Sequence, residues 1–172
     1  MNTTANKITI FRIILIPVFM VLAYQNLFGW ALAVYIIACL SDVADGYIAR
    51  HYNQVSNFGK FMDPIADKLL THTAFIMLTA IGRLNVTACI IFIAREFVVS
   101  GLRLCAVEQG HVIAAGMSGK IKTVLQMLLV MVLTITGEGL LPALLTIAAS
   151  VMTLYSMCEY VWQNRAVLGG AK

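Results

Sequence analysis

Six apolar stretches, each about 20 residues long and so able to cross a bilayer's hydrocarbon core as helix, follow one another along the chain. They occupy residues 8–27, 29–50, 59–81, 86–107, 119–136 and 140–162, and every connection is short except 50–59 and 107–119. Hydrocarbon offers no water to backbone N–H and C=O groups, so segments of this length satisfy them internally as helices. The expectation is an all-α protein, an integral membrane bundle of six transmembrane helices forming a single domain over residues 1–172. Composition excludes the alternative of an ordinary soluble domain: 60% of residues are apolar, only 12% are charged and the mean hydropathy is +0.88.

Basic residues orient the bundle. With a cytoplasmic N-terminus, Lys7, Arg12, Arg50, Lys60, Lys68, Arg95, Arg103, Lys120, Lys122, Arg165 and Lys172 fall on or lean toward the inner side, leaving Arg83 opposite. Both termini are therefore expected in the cytoplasm. Tyr24, Phe28 and Trp30 then form an outer aromatic belt, with Tyr160 and Trp162 as the inner one. Residues 2–12 read as an interfacial N-terminal segment leading into the bilayer. A removable signal is not expected, because no small-x-small cleavage pattern follows and Pro17 interrupts the apolar run. The net charge of +4 suits a face against anionic lipid and calls for no nucleic acid. Cys39, Cys89, Cys105 and Cys158 stand alone in apolar sequence and read as small buried residues.

Four of the eight acidic residues, Asp42, Asp45, Asp63 and Asp67, are concentrated where the second stretch ends and the third begins. An ionised carboxylate in hydrocarbon is expensive unless paired or metal-bound, so this concentration points to a functional site. On a helix Asp42, Asp45, Gly46, Ala49 and Arg50 share one face, and Gly59, Asp63 and Asp67 recur at the same helical spacing. Pro64 leaves two starts open for the third helix: at Asp63 as N-cap, or at Gly59 with the proline in or near the first turn. Should the short connection return the third helix beside the second, two acidic stripes face each other. Two divalent cations balance four carboxylates, and a donor set of carboxylates without Cys or His favours magnesium or manganese.

Gly46, Ala49 and Gly59 clear side chains from the acid-bearing surface. Either a bulky, phosphate-bearing group approaches the backbone there, or helices pack tightly. Arg50 is correspondingly a fixed cation for a phosphate or an inner-face anchor.

The order Asp42, Asp45, Gly46, Ala49, Arg50, then eight residues, then Gly59, Asp63 and Asp67 resembles the signature of the CDP-alcohol phosphatidyltransferases, DxxDGxxAR(x8)GxxxDxxxD, complete and at that family's spacing. Asn6, Thr9, Arg12 and Pro17 resemble the family's amino-terminal segment. Residues 94–97, 100–103, 112–115 and 119–123 with Gln126 are similar to its phosphatidylglycerophosphate synthase branch.

The resemblance implies transfer of the phosphatidyl group of CDP-diacylglycerol to an alcohol, with CMP leaving and Mg2+ or Mn2+ as cofactor, two ions expected. It implies Asp42, Asp45 and Asp63 as metal ligands, with Asp67 completing the second metal site and acting as general base. Gly46, Ala49 and Gly59 would line the cytidine pocket, Arg50 would touch the diphosphate, and Thr9 would reach the nucleotide. Glycerol 3-phosphate as acceptor demands cations of its own. Arg95, Arg103 and Lys120 are expected to clamp its phosphate, since Arg95 lies ~14 Å along the fourth stretch, where a charge is tolerated facing a polar cavity. The other reading of Arg95 is a structural pair with Glu96 or an aspartate.

The same likeness implies a bacterial cytoplasmic membrane, an active site facing the cytoplasm, surrounding lipid and a homodimer. Two alternatives stand beside it: a related transferase with another acceptor, and a divalent-cation transporter filtering through its aspartates. Arg50 beside the acids and the lack of an inverted repeat count against the transporter.

Overall fold

The computed structural model describes the backbone of residues 4–51, 57–111, 113, 114 and 116–168; within these it describes every side chain except those of residues 4–7, 43–51, 57–61, 63, 64, 67, 166 and 168. The described chain is helical without strands: α1 (Thr4–Tyr24), α2 (Phe28–His51), α3 (Asn57–Ala80), α4 (Val86–Glu108), α5 (Met117–Thr136), α6 (Leu140–Gln163) and the short α7 (Arg165–Leu168). The six long helices coincide with the six apolar stretches to within four residues at every end. By length and composition α5 and α6 are the two described helices apolar enough to cross a membrane. The described apolar stretches of α1 and α2, Ile8–Tyr24 and Phe28–Asp42, are shorter.

Local chemistry accounts for the ends. Asn26 takes a left-handed conformation (φ 60°) between α1 and α2, which asparagine tolerates better than most side chains. Asn85 caps α4 by accepting a hydrogen bond from the Thr87 backbone N–H at 2.8 Å. The segment expected to lie at the interface is not a separate element, because α1 runs unbroken from Thr4 through Pro17. α3 also starts earlier than either expected position, at Asn57, which leaves Pro64 beyond the first turn. The single ladder bond a proline forgoes there is outweighed by the buried stripe that follows, Ala66, Leu70, Ala74 and Leu78.

The chain divides into two compact units: Met1–Arg83 with Val130–Gly137, and Leu84–Leu129 with Glu138–Lys172. In the first, α1 packs against α2 and α3. Its buried face is Thr9, Arg12, Ile16, Phe19 and Ala23, alternating steps of three and four as in a coiled-coil seam. The facing positions on α2 are Ala31, Tyr35 and Ala38, and Asp42 continues their spacing. Phe19 meets Tyr35 (ring centroids 5.8 Å apart) and Arg12 meets Asp42, which fixes an antiparallel register between the two helices. Alanines on α2 and α3 let backbones approach, as small residues do in membrane bundles.

In the second unit, α4 packs against α6 and α7. The buried stripe of α4 is Ala88, Cys89, Phe92, Arg95, Val99, Leu102 and Ala106, and that of α6 is Pro142, Ala149, Thr153, Ser156 and Tyr160. Large apolar side chains elsewhere on α6, including Leu144, Ile147 and Val151, are exposed, as a lipid-facing surface requires. Cys39 and Cys89 are buried as expected, whereas Cys105 and Cys158 are exposed. A thiol is apolar enough to face acyl chains, so its presence in an apolar segment does not decide which side of the helix it takes.

Arg83 ties the first unit together at the α3 end. Its Nη1 donates to the carbonyls of Leu133 (2.9 Å) and Thr134 (2.6 Å) in the last turn of α5, and its guanidinium lies 3.4 Å from the centroid of the Phe28 ring. Carbonyls at a helix C-terminus lack intrahelical partners and attract a cation, which Arg83 supplies. Arg83→Ala is expected to lower stability by about 2 kcal/mol, combining lost charge-assisted hydrogen bonds and the ring contact. Unfolding of purified protein in mixed micelles measures it, and Arg83→Lys is expected to recover only part because an ammonium stacks poorly on the ring.

Candidate functional site

The signature residues sit on the final turns of α2 and the opening turns of α3. Only residues 52–56 separate the two helices, so both ends lie at the same end of the first unit. Asp42 is the member whose side chain is described. Its Oδ1 lies 2.8 Å from Nη1 of Arg12, whose side chain is wholly buried, while the Asp42 side chain keeps 38% of its surface accessible. The side chains of Asp45, Gly46, Ala49, Arg50, Gly59, Asp63 and Asp67 lie outside the described residues; their backbone is helical.

Thr9 is fully buried one helical turn before Arg12. The α1–α2 register that pairs positions 19 with 35 and 12 with 42 sets position 9 at the level of position 45, within the signature. The donor set fits a divalent cation of the hard, oxygen-preferring kind: Asp42 is a carboxylate held by a cation and still accessible, and the other acids of the signature are carboxylates too.

A second polar cluster interrupts the apolar stripe of the second unit. Arg95, 7% exposed, donates from Nη1 to Oε1 of Glu96 (2.8 Å) and from Nη2 to Oγ of Ser156 (2.9 Å). Lys122, also buried, donates to the same Glu96 oxygen. One carboxylate thus holds two cations, leaving the trio with one net positive charge, and Arg95 Nε is buried without a hydrogen-bond partner among the described residues. One turn below Lys122 on α5, Gln126 donates to Thr153 at 3.0 Å, and Thr153 in turn donates to the Ala149 carbonyl. Gly119 gives Arg95 its room: a Cβ there would stand 3.3 Å from Arg95 Nη2 and 3.9 Å from Ser156 Oγ.

The three cations that the sequence suggested as an anion clamp take different surroundings. Arg95 lies in the buried trio, and its pairing with Glu96 is the structural alternative that the sequence left open. Arg103 is exposed and donates from Nε to the Tyr160 hydroxyl at 2.9 Å, while Lys120 is exposed at the start of α5. The buried lysine of this region is Lys122, two residues on. Arg12 and Lys122 were legible as basic residues of the inner face and as parts of stretches resembling the family, without a role of their own. The signal that singles them out is their place in a three-four spacing of buried positions: 9, 12, 16, 19 and 23 for Arg12, and 122, 126 and 129 for Lys122.

Comparison with known proteins gives a match to the CDP-alcohol phosphatidyltransferase family over residues 2–160. A Bacillus subtilis protein named CDP-diacylglycerol--glycerol-3-phosphate 3-phosphatidyltransferase is 43% identical over 141 residues, 73% of this chain and 72% of the relative. Proteins of the same name from Rickettsia typhi and Rickettsia prowazekii are 39% and 40% identical, covering 81% and 78% of this chain and 80% and 76% of theirs.

Glu96→Gln keeps the volume of the second cluster but removes the carboxylate charge that Arg95 and Lys122 share. Breaking such a pair from one side is expected to cost about 3 kcal/mol, read from denaturant titration in micelles. Gly119→Ala is expected to perturb the same cluster more mildly, by pressing on Arg95 Nη2.

Proposed function

Because the chain belongs to the CDP-alcohol phosphatidyltransferase family, we propose that it transfers the phosphatidyl group of CDP-diacylglycerol to glycerol 3-phosphate, forming phosphatidylglycerophosphate and CMP. The observation that carries this reading is the complete signature, borne on two helix ends brought to one end of a compact unit. Relatives named for this reaction, 39–43% identical over about three quarters of the chain, support the acceptor.

Asp42, Asp45, Asp63 and Asp67 would hold two divalent ions, magnesium or manganese, which when bound would supply Lewis-acid and charge stabilisation for the phosphoryl transfer. Gly46, Ala49 and Gly59 admit the cytidine close to the backbone, with Thr9 at its edge, and Arg50 pairs with the diphosphate. Asp67 takes the proton of the acceptor hydroxyl as that oxygen bonds to the phosphorus carrying diacylglycerol and the bond from this phosphorus to the CMP oxygen breaks. Arg95, Arg103 and Lys120 receive the acceptor's phosphate. The net positive charge of the Arg95–Glu96–Lys122 trio supports an anion there.

The substrates dictate the setting. One is a lipid and the other dissolves in water, so all six long helices span a bacterial cytoplasmic membrane as one catalytic domain. Both termini and the active site face the cytoplasm, and two chains associate as a homodimer.

Purified protein supplied with CDP-diacylglycerol, magnesium and a panel of alcohols is expected to release CMP with glycerol 3-phosphate. CMP released only with another alcohol would reassign the acceptor, and cation flux without CMP would point to transport. Asp67→Asn is expected to abolish turnover while the protein still elutes as a folded species; full activity in that variant would remove the general-base role.

A further inference from the structure

Arg12 stands out as a charge in an otherwise apolar or small-residue seam. It lies in the middle of a seam whose other members are Thr9, Ile16, Phe19 and Ala23, in a helix otherwise built for an apolar surrounding, and it has no exposed surface. Replacing a buried ion pair by apolar residues of similar size is often neutral or stabilising, so packing alone gives no reason to keep a guanidinium there.

Its partner is informative. Asp42 is the first carboxylate of the signature, and it sits at the α2 position that the antiparallel register sets against Arg12, seven residues along each helix from the Phe19–Tyr35 contact. The seam thus fixes where the guanidinium can be, and the ion pair at 2.8 Å holds the carboxylate against it in turn. The contact engages Oδ1 and leaves 38% of the Asp42 side chain accessible, so the aspartate is oriented without being sequestered.

We infer that Arg12 is a positioning residue that aims Asp42 at the divalent ion. This rests on the proposed role of Asp42 as a metal ligand and adds an outer support that the signature does not contain. Outer groups that hold metal ligands in place set the ligand's orientation, and losing them typically weakens metal binding by about 10–100-fold.

The sign of the effect separates positioning from simple charge. Removing a cation close to a cation site strengthens metal binding through Coulomb's law alone; removing a support for the ligand weakens it.

The test is Mn2+ binding to the full chain in micelles, read by electron paramagnetic resonance of free Mn2+, with no nucleotide substrate present and no turnover needed. Asp42→Asn, Arg12→Gln and the double variant complete a thermodynamic cycle. Arg12→Gln is expected to weaken Mn2+ binding by about 10-fold or more, and in the Asp42→Asn background to add nothing further. Unchanged or tighter binding by Arg12→Gln, with Asp42→Asn weakened, overturns the inference and leaves Asp42 as a ligand. Unchanged binding by Asp42→Asn overturns the ligand role itself and the inference with it. Equal losses from Arg12→Gln in both backgrounds also overturn it, since Arg12 then acts independently of Asp42. Should Arg12→Gln fail to fold, Arg12→Lys, which keeps the buried charge but loses the planar fork, is judged by the same outcomes.

Discussion

Arg12 and Asp42 meet at 2.8 Å inside a unit made almost wholly of apolar helix surface, and the arrangement of that unit can be followed outward from this contact. A guanidinium with no exposed surface has to be paired, and its pairing demands that α1 and α2 keep one register. The Phe19–Tyr35 contact obeys the same register seven residues away. With α1 held in place, α3 packs on it as well, and the two helix ends bearing the signature come to lie at the same end of the unit.

The second unit applies the same rule to a different charge balance. Glu96 holds both Arg95 and Lys122, so two cations share one anion. Ser156 satisfies part of what remains of Arg95, and the missing side chain of Gly119 leaves space for it. Charged groups are costly in an apolar stripe, and this cluster keeps its cations paired. Arg83 shows the structural counterpart: a cation spent on helix-end carbonyls and an aromatic ring.

Much of this was legible from residue order. The six helices follow from six windows of apolar sequence, because length and hydropathy are local properties of a segment. The signature was legible for a different reason, since the spacing of acids and small residues is preserved in the chain whatever the fold does. What escaped was the role of individual basic residues. Lys120 and Lys122 are two residues apart and chemically identical, yet one is exposed and the other buried against Glu96, a difference set by helix rotation that composition does not record. The start of α3 was misplaced because a proline argues locally for a helix start, whereas the helix begins seven residues before it, at Asn57.

Sequence by itself determined the all-helical class, the helix boundaries to within about one turn, and the family, because each depends on hydrophobic length or on a linear spacing of chemical groups. Tertiary structure alone decided that Arg12 meets Asp42, that Glu96 joins Arg95 to Lys122, and that Arg103 donates to Tyr160. Those choices depend on which faces of different helices meet. A charge in low dielectric is settled by whichever opposite group that meeting brings within reach.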